Sequence, residues 1–364
     1  MKYKITQIQP YFDNSEIKNL KKAIKTGWVT EGPFCKEFMD IIQQYTGAKY
    51  AVFANNGTLG LFLSLLSIGI SEGDEVIVPD FTFNASASSI AFTGAKPVFV
   101  DIQMDNLQID TTKIEAAISP KTKAIMPVHV YGQACDMDPI LKIAEKHSLK
   151  IVEDAAQGYG VFYKGRHTGT IGDVGVISFF ADKTITTGEG AVVLTNNEDT
   201  FNKLKMLRNQ GRPNSGTFIH PELGMNFRIT DLQGALGVAQ TKKFNKIKDI
   251  KEKNFYLYHE NLKIVTNIHF ISQPDYTNFV PFRVNVLAEK LEELIDHLEN
   301  NGVQTRRMFY PLHRQPCFES LKYKEEDFPV ANEVYDRGLS FPVHSGLKKS
   351  DILFICKLIK DFYA

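Results

Sequence analysis

Residues 75–101 read EVIVPDFTFNASASSIAFTGAKPVFVD and set the pattern for the first half of the chain. Two short β-rich runs, at 75–79 and 97–101, enclose a helical segment at 83–93. The apolar run at 76–78 is continuous rather than alternating, which is typical of a strand covered on both faces. This strand–helix–strand unit predicts parallel strands that are joined through a helix.

The same alternation of apolar runs and helical segments continues on both sides of this unit. After Asp173 it gives way to two strand-like runs with a short polar turn between them, which predicts that those two strands pair as neighbours. We therefore expect an α/β fold with a mostly parallel central sheet covered by helices. The further predicted strands are 51–54, 124–130, 150–154, 175–180 and 190–195, and the further predicted helices are 57–70, 111–118 and 137–148.

The last third of the chain has a different pattern of predicted elements. A long, increasingly basic helix is predicted over 230–260, and an acidic helix at 287–300 and a final helix at 349–362 follow it. We interpret the elements after residue 265 as a smaller α+β unit. The expected division is a large domain over 1–245, including the N-terminal segment, and a small C-terminal domain over 246–364.

Composition and charge argue against several classes of protein. Lys plus Arg and Asp plus Glu each number 42 among 364 residues, so the formal net charge is zero. This balance argues against nucleic-acid binding through phosphate neutralisation and against a polybasic membrane-surface protein. The longest mostly apolar run, at 59–70, is too short to span a bilayer. An enzyme that acts on small molecules is the class that remains.

The four cysteines are scattered along the sequence, at Cys35, Cys135, Cys317 and Cys356. No Cys-x-x-Cys pair or zinc-type spacing is present, so no metal site is expected. The pattern does not suit a disulfide framework, and no apolar signal stretch follows the initial Met-Lys-Tyr-Lys. We therefore expect a reduced, cytoplasmic protein.

The segment 178–190, SFFADKTITTGEG, contains the first candidate catalytic residue. Lys183 follows a predicted strand and lies in a turn rich in Thr and Gly. A lysine at a rigid strand exit can form a Schiff base when its surroundings lower its pKa. The alternative interpretation is a solvated loop lysine.

Two further segments suit the same chemistry. Asp154 follows an apolar strand, where ligands of open α/β sheets bind, so it could pair with a protonated heterocyclic nitrogen or be a helix N-cap. The run 55–58, NNGT, begins a predicted helix and could be a phosphate cradle or a common Asn-Gly turn. Together with Lys183, these segments provide the phosphate anchor, pyridinium partner and amine that pyridoxal phosphate (PLP) needs.

The ordered motifs of the chain closely resemble those of the DegT/DnrJ/EryC1/StrS aminotransferases, the fold-type I PLP enzymes that aminate keto sugars. The resemblance covers nearly the whole chain and is nearest to the branch that contains GDP-perosamine synthase. The matching motifs are GWVTEG at 27–32, NGT at 56–58, GDEVIVP at 73–79, Thr82-Phe83, PVFVD at 97–101, TKAIMPVHVYGQ at 122–133, EDAAQ at 153–157, the segment 178–190, and GMNFR at 224–228.

The resemblance implies a role for each cofactor-binding residue. Lys183 corresponds to the Schiff-base lysine, which also moves the proton between cofactor and substrate carbons. Asp154 would keep the pyridine nitrogen protonated, and Gln157 would bond the ring hydroxyl. Phe83 would stack on the cofactor ring, with ordinary core packing as its alternative. The residues implied to bind the phosphate are Gly57, Thr58, Ser178 and, in a homodimer with shared sites, the partner subunit's Asn226.

Substrate-binding residues are implied at the mouth and wall of the site. Trp28 and Thr30 lie in the motif that the family places at the active-site mouth. Tyr310 and His313 match an element that lines the acceptor pocket, where His313 could contact a sugar hydroxyl or phosphate or be a packed histidine. Arg228 could bind a carboxylate or phosphate, or be a structural residue at the dimer contact.

Lys183 also bears on the type of reaction that the resemblance implies. Related sugar dehydratases carry His at the position of this lysine, so Lys183 favours transamination over dehydration. Another kind of PLP dehydratase uses an iron–sulfur cluster, for which this chain lacks clustered cysteines.

The expected activity is transfer of the amino group of L-glutamate to the keto group of a nucleotide-linked sugar, a 4-keto-6-deoxyhexose, in O-antigen, capsule or glycoconjugate synthesis. Two segments, TFIHP at 217–221 and NFVPFR at 278–283, depart from perosamine-type sequences near the expected acceptor. They leave a smaller phosphorylated ketone open as the acceptor. A non-catalytic PLP-binding regulator is the alternative from a different class, although scaffolding does not require the complete set of cofactor residues.

Overall fold

The computed structural model describes residues 3–214 and 216–364, and a seven-stranded sheet lies at the centre of its first part. The strands of this sheet are β1 (Tyr50–Ala54), β2 (Glu75–Pro79), β3 (Lys96–Val100), β4 (Thr122–Ile125), β5 (Lys150–Asp154), β8 (Val174–Ser178) and β9 (Ala191–Thr195). Their order is β1-β9-β8-β5-β4-β2-β3, and within it β9 runs against the other six. The mostly parallel sheet predicted from the sequence is confirmed, and so is the pairing of β8 with β9. A separate two-stranded hairpin consists of β6 (Phe162–Tyr163) and β7 (Arg166–His167).

Helices cover both faces of the seven-stranded sheet. In β2, Val76 and Val78 pack into one apolar core, whereas Ile77 between them packs into another on the opposite face. Because successive strand residues point to opposite faces, a continuous apolar run is what a doubly covered strand requires. The helices of this part are α1 (Asn14–Lys25), α2 (Pro33–Thr46), α3 (Gly57–Ser67), α4 (Ala85–Ala91), α5 (Thr111–Ile114), α6 (Met137–His147), α7 (Glu198–Arg208) and α8 (Asp231–Lys242).

Several predicted elements are shorter in the structure than in the sequence-based prediction, or are divided. The strand predicted over 124–130 is observed as β4, which ends at Ile125, and the chain turns further on at Tyr131 and Gly132, where φ is 58° and 89°. A Cβ on Gly132 would lie 1.8 Å from the carbonyl oxygen of Val280, so only glycine permits this approach. The helix predicted over 230–260 is divided at Lys243 into α8 and α9 (Phe244–Leu262).

The C-terminal part is built on a second, antiparallel sheet of four strands. These are β10 (Ile268–Phe270), β11 (Val284–Ala288), β12 (Arg306–Arg307) and β13 (Gly338–Phe341), in the order β10-β11-β13-β12. Its helices are α9, α10 (Leu291–Asn300), α11 (Pro329–Arg337) and α12 (Lys349–Tyr363). The acidic helix predicted over 287–300 begins later, at Leu291, because the apolar run before it pairs with β10 and β13 as strand β11.

The N-terminal segment also belongs to the surroundings of the second sheet. The backbone N–H groups of Lys4 and Ile5 donate to the carbonyl oxygen of Gly302, at 2.8 and 3.1 Å. The side-chain amide of Gln7 donates to the carbonyl oxygen of Ser340 at 2.6 Å. The segment therefore bonds to the part of the chain that the sequence assigned to the small domain, while the division at residue 245 itself stays a prediction.

None of the helices in the described part of the chain combines the length and apolar character needed to cross a bilayer.

Candidate active site

A cavity of about 680 Å³ lies at the carboxyl ends of the parallel strands, between the two sheets. This volume is in the range of pockets that bind small ligands. Its walls come from the end of β2, the start of α3, the ends of β5 and β8, and the segment around β12. Eight of the predicted residues line it: Gly57, Thr58, Phe83, Asp154, Gln157, Ser178, Lys183 and Tyr310.

Lys183 follows β8 on a turn that its own backbone closes, since its N–H donates to the carbonyl oxygen of Phe180 at 2.9 Å. Its side chain is only 15% exposed, and its Nζ lies 3.6 Å from Oδ1 of Asp182. Burial lowers the pKa of the Lys183 ammonium below its usual value, against the opposing attraction of Asp182 and Asp154. The solvated-loop alternative is therefore wrong, because this amine is buried and shifted toward its neutral, nucleophilic form.

Asp154, at the end of β5, points into the cavity and is held by neighbouring donors. Ser86 Oγ donates to its Oδ2 at 2.7 Å, and the backbone N–H of Ala156 donates to its Oδ1 at 3.0 Å. Burial raises the pKa of this carboxyl, whereas those hydrogen bonds and the Lys183 charge act in the other direction. No helix begins directly after Asp154, since the next element among the described residues is β6, so the N-cap alternative is wrong. The site is suited to a cationic partner such as a protonated ring nitrogen.

The adjacent acid, Glu153, points to the opposite face of the sheet and has a different role. Its carboxylate accepts backbone N–H groups of Gly169, Ile171 and Gly172 at 2.6 to 2.8 Å. His129 Nε2 lies 3.0 Å from it as a further partner. Glu153 thus holds the turn before β8, and Asp154 is the acid that remains for the cavity.

The start of α3 has the geometry that a phosphate cradle requires. Asn56 caps this helix, its side-chain oxygen accepting the N–H of Leu59 at 3.0 Å, so the first amides of the helix point outward without intrahelical partners. A Cβ on Gly57 would lie 3.1 Å from Cβ and 3.2 Å from Oγ of Ser178. A larger residue at position 57 would therefore crowd the space where a phosphate would meet the amides of Gly57 and Thr58 and the Ser178 hydroxyl.

Gln157 and Phe83 border the space between Asp154 and this cradle. The side-chain oxygen of Gln157 accepts the N–H of Tyr131 at 2.6 Å, which leaves its NH₂ group free to bind a ring hydroxyl. The Phe83 ring is 63% exposed and lies 6.4 Å from the ring of Phe309. Ordinary core packing of Phe83 is therefore wrong, and its ring is available to stack on a ligand.

Five predicted residues do not line this cavity: Trp28, Thr30, Asn226, Arg228 and His313. Of these, Asn226 and Arg228 lie beside the start of α3. The Asn55 side chain donates to the carbonyl oxygen of Arg228 at 2.8 Å, and Arg228 Nε donates to Asn226 at 3.1 Å. Asn226, Trp28 and Thr30 are exposed. The roles of Trp28, Thr30, Asn226 and Arg228 stay predictions.

The predicted acceptor residues Tyr310 and His313 have different positions. Tyr310 lines the cavity, but the side chain of His313 is only 2% exposed and lies outside the lining. Its Nδ1 lies 2.7 Å from Asp80 Oδ2, and its ring stacks on Phe328. Burial alone would lower the pKa of His313, but the hydrogen bond and charge of Asp80 outweigh it and raise the pKa. The packed-histidine alternative describes this geometry, because a buried ring held by Asp80 cannot reach a ligand in the cavity.

The sequence analysis missed several residues of the cavity. Asp182 accepts a hydrogen bond from Arg283 at 2.9 Å, and Arg306 lies 3.9 Å from the same oxygen. Position beside Lys183 was a signal for Asp182, and the unusual segment 278–283 was a signal for Arg283. That segment borders the cavity as expected, whereas 217–221 does not. Nothing in the sequence marked Arg306 or the Ser86 that binds Asp154.

Comparison with known proteins identifies the family. The profile of the DegT/DnrJ/EryC1/StrS aminotransferase family matches residues 10–360. The chain belongs to this family. It is 38% identical to the GDP-perosamine synthase of Caulobacter vibrioides, over 96% of this chain and 95% of that protein. It is 36% identical to the GDP-perosamine synthase of Escherichia coli O157:H7, over the full length of both.

A solved structure shows the same fold. The PLP form of the putative sugar aminotransferase Spr1654 from Streptococcus pneumoniae superposes with a TM-score of 0.94 at 27% identity, over 99% of this chain and 98% of that one. The predicted aminotransferase fold is confirmed, and the chain is a PLP-dependent aminotransferase. When bound, PLP supplies an electron sink for the substrate carbon. The cradle of α3, Asp154 and Lys183 fit its phosphate, ring nitrogen and aldehyde.

Proposed function

We propose that this aminotransferase takes its amino group from L-glutamate and delivers it to the keto group of a nucleotide-linked sugar, a 4-keto-6-deoxyhexose, for O-antigen or capsule synthesis. Near full-length similarity to two GDP-perosamine synthases supports this proposal more than any other observation. The donor leaves as 2-oxoglutarate and the ketone oxygen leaves as water.

The chain's own residues divide the work within the cavity. The cradle at Gly57 and Ser178 and the carboxylate of Asp154 fix the cofactor at both ends. Lys183, buried and shifted toward the neutral amine, is the base that takes the proton from the donor carbon and returns it to the acceptor carbon. The wall around Tyr310 faces the acceptor.

We also propose that the enzyme is a homodimer in the cytoplasm. Trp28, Thr30, Asn226 and Arg228 lie outside their own chain's cavity, on a surface that exposes Phe218 and Leu223 by 90% and 97%. Burying such apolar side chains against a second copy would bring Asn226 to the partner's cradle. All four cysteines are free, which agrees with a reducing compartment.

The direct test is incubation of the protein with PLP, L-glutamate and a panel of keto-sugar nucleotides and phosphorylated ketones. We expect 2-oxoglutarate to appear together with an aminated sugar nucleotide, identified by mass spectrometry. Amination of only a phosphorylated ketone would establish the smaller acceptor instead. If no amino acid in the panel were converted to its keto acid, the assignment as an active transaminase would be wrong.

A further inference from the structure

Arg306 is an uncompensated cation on the wall of the cavity. Its side chain is 51% exposed, lines the cavity from β12, and forms no hydrogen bond to any residue in 3–214 or 216–364. Its nearest carboxylate is that of Asp182, at 3.9 Å. A guanidinium in such a position can offer two parallel donors to a carboxylate or phosphate group of a ligand.

The charges next to Arg306 do not neutralise its guanidinium group. Asp182 is already bonded to Arg283, which is nearly buried and donates to the same oxygen at 2.9 Å. One carboxylate therefore faces two guanidinium groups and the ammonium of Lys183. The next residue of the strand, Arg307, is different, because its guanidinium pairs with Glu292 and lies over the ring of Tyr335.

The position of Arg306 relative to Lys183 determines which part of a ligand Arg306 can contact. Lys183 Nζ and the Arg306 guanidinium both lie within 4 Å of the Asp182 carboxylate, at 3.6 and 3.9 Å. The cofactor phosphate already has its own cradle on α3, at the other end of the cavity. Arg306 is therefore placed for an anionic group of a substrate that reacts beside Lys183.

We propose that Arg306, supported by the Asp182–Arg283 ion pair, forms the anion-binding subsite for substrate in this enzyme. It takes a carboxylate or phosphate oxygen, from either the amino donor or the nucleotide of the acceptor. This inference rests on the proposed function for the identity of the two substrates, but the subsite itself follows from the charges.

The test is equilibrium binding by calorimetry, with glutarate, 2-oxoglutarate and GDP as separate probes of the PLP-loaded enzyme. Glutarate has the two carboxylates of L-glutamate but no amino group to transfer, so it binds without reacting. We expect Arg306→Gln to weaken at least one probe about tenfold to a hundredfold, because it removes a charged hydrogen-bond pair. Arg306→Lys should recover part of the affinity, since it keeps the charge without the fork. Arg337→Gln is the matched control, because this arginine pairs with Glu333 on α11, away from the cavity.

The pattern of losses distinguishes the two sources of the anion. A loss for glutarate and 2-oxoglutarate alone assigns the donor carboxylate, and a loss for GDP alone assigns the acceptor diphosphate. Equal affinities of the parent and Arg306→Gln for all three probes, or no binding by the parent, would overturn the proposal. Binding does not require turnover, so a failure to form 2-oxoglutarate would count against the proposed function and not against this subsite.

Discussion

Lys183 is buried, but the surrounding structure does not depend on its side chain. Its ammonium has one near carboxylate, Asp182, and that carboxylate keeps Arg283 as a partner if the lysine is removed. We expect Lys183→Ala to lower turnover by about a hundredfold to ten-thousandfold or more, the range of lost proton transfer. Cofactor should still bind, since the cradle and Asp154 remain. Formation of 2-oxoglutarate and cofactor content after gel filtration measure the two effects.

Lys164→Ala serves as the control for Lys183→Ala, because the Lys164 ammonium forms an exposed ion pair with Asp138. Turnover near that of the parent in Lys183→Ala would show that another residue is the base.

Asp154 acts through its charge, and its neighbours would accept an amide in its place. Asp154→Asn keeps an oxygen that can accept the Ser86 hydroxyl at the position now bonded at 2.7 Å. The substitution removes the negative charge that favours a protonated ring nitrogen. We expect the glutamate half-reaction, followed by stopped-flow absorbance, to slow by at least about tenfold, while cofactor affinity changes less. Equal rates in the two proteins would refute the assignment to the ring nitrogen.

Lys251, on α9, is a buried cation behind Lys183 whose pKa is lowered to about 7 by burial and by the positive charge of Arg283. Asp182 opposes this shift and Lys183 adds to it. The folded state therefore binds fewer protons than the unfolded state between pH 7 and the ordinary pKa of 10.5, so this lysine destabilises the fold increasingly as the pH falls through that window. The cost is complete below pH 7.

We accordingly expect Lys251→Met to stabilise the protein near pH 6.5, by something on the order of 3 kcal/mol, and much less near pH 10. Thermal unfolding at both pH values measures this. The exposed Lys253→Met on the same helix is the control and should show no such dependence on pH. A gain that is the same at both pH values would contradict the buried-cation account.

At the scale of elements, the end of β2 is bonded to the segment that follows β12. The carboxylate of Asp80 binds both the backbone N–H and Nδ1 of His313, at 2.8 and 2.7 Å, and the Asp80 carbonyl oxygen accepts the N–H of Leu312 at 2.8 Å. These bonds fix the segment 306–315, which supplies much of the cavity wall facing the acceptor. The first sheet thus positions residues that belong to the second.

We expect Asp80→Asn to loosen that wall without touching the cofactor. The KM for the acceptor should rise several-fold, while the rate of the glutamate half-reaction stays close to that of the parent. Stability should fall by about 1–3 kcal/mol through the loss of a buried charged hydrogen bond. Asp361→Asn, at an exposed position on α12, is the control. A loss of stability with no change in the acceptor KM would limit Asp80 to a structural role.

At the scale of the whole molecule, the proposed homodimer predicts complementation between two defective chains. Lys183→Ala and Asn226→Ala should each be poorly active alone, because each substitution removes a required residue from both active sites of the homodimer. In a mixed dimer, one site has both substitutions and the other has neither. Equal amounts of the two chains, unfolded and refolded together, should therefore recover about a quarter of the parent activity. No recovery, in a mixture that sedimentation shows to be dimeric, would mean that the sites are not shared.

The sequence was most informative where chemistry and strand pattern coincide. The bounds of β2 and β5 match the predicted 75–79 and 150–154, since each is an apolar run bounded by turn residues and charged ends. Asp154 ends a strand and Lys183 follows one, so the position of each could be predicted from local sequence. In contrast, the Arg283–Asp182 pair joins residues 101 positions apart, and the break at Lys243 occurs without Gly or Pro. Both depend on tertiary packing, which local patterns do not encode.

The hydrogen bonds of Lys4, Ile5 and Gln7 to Gly302 and Ser340 have a consequence for biosynthesis. A ribosome makes Lys4, Ile5 and Gln7 about 300 or more residues before it makes their partners. The segment 4–7 must therefore wait, without these partners, while the polypeptide between them emerges and folds. We expect proteases to cut the nascent chain near residues 4–7 until Gly302 and Ser340 have left the ribosome, and the same bonds to be protected afterwards.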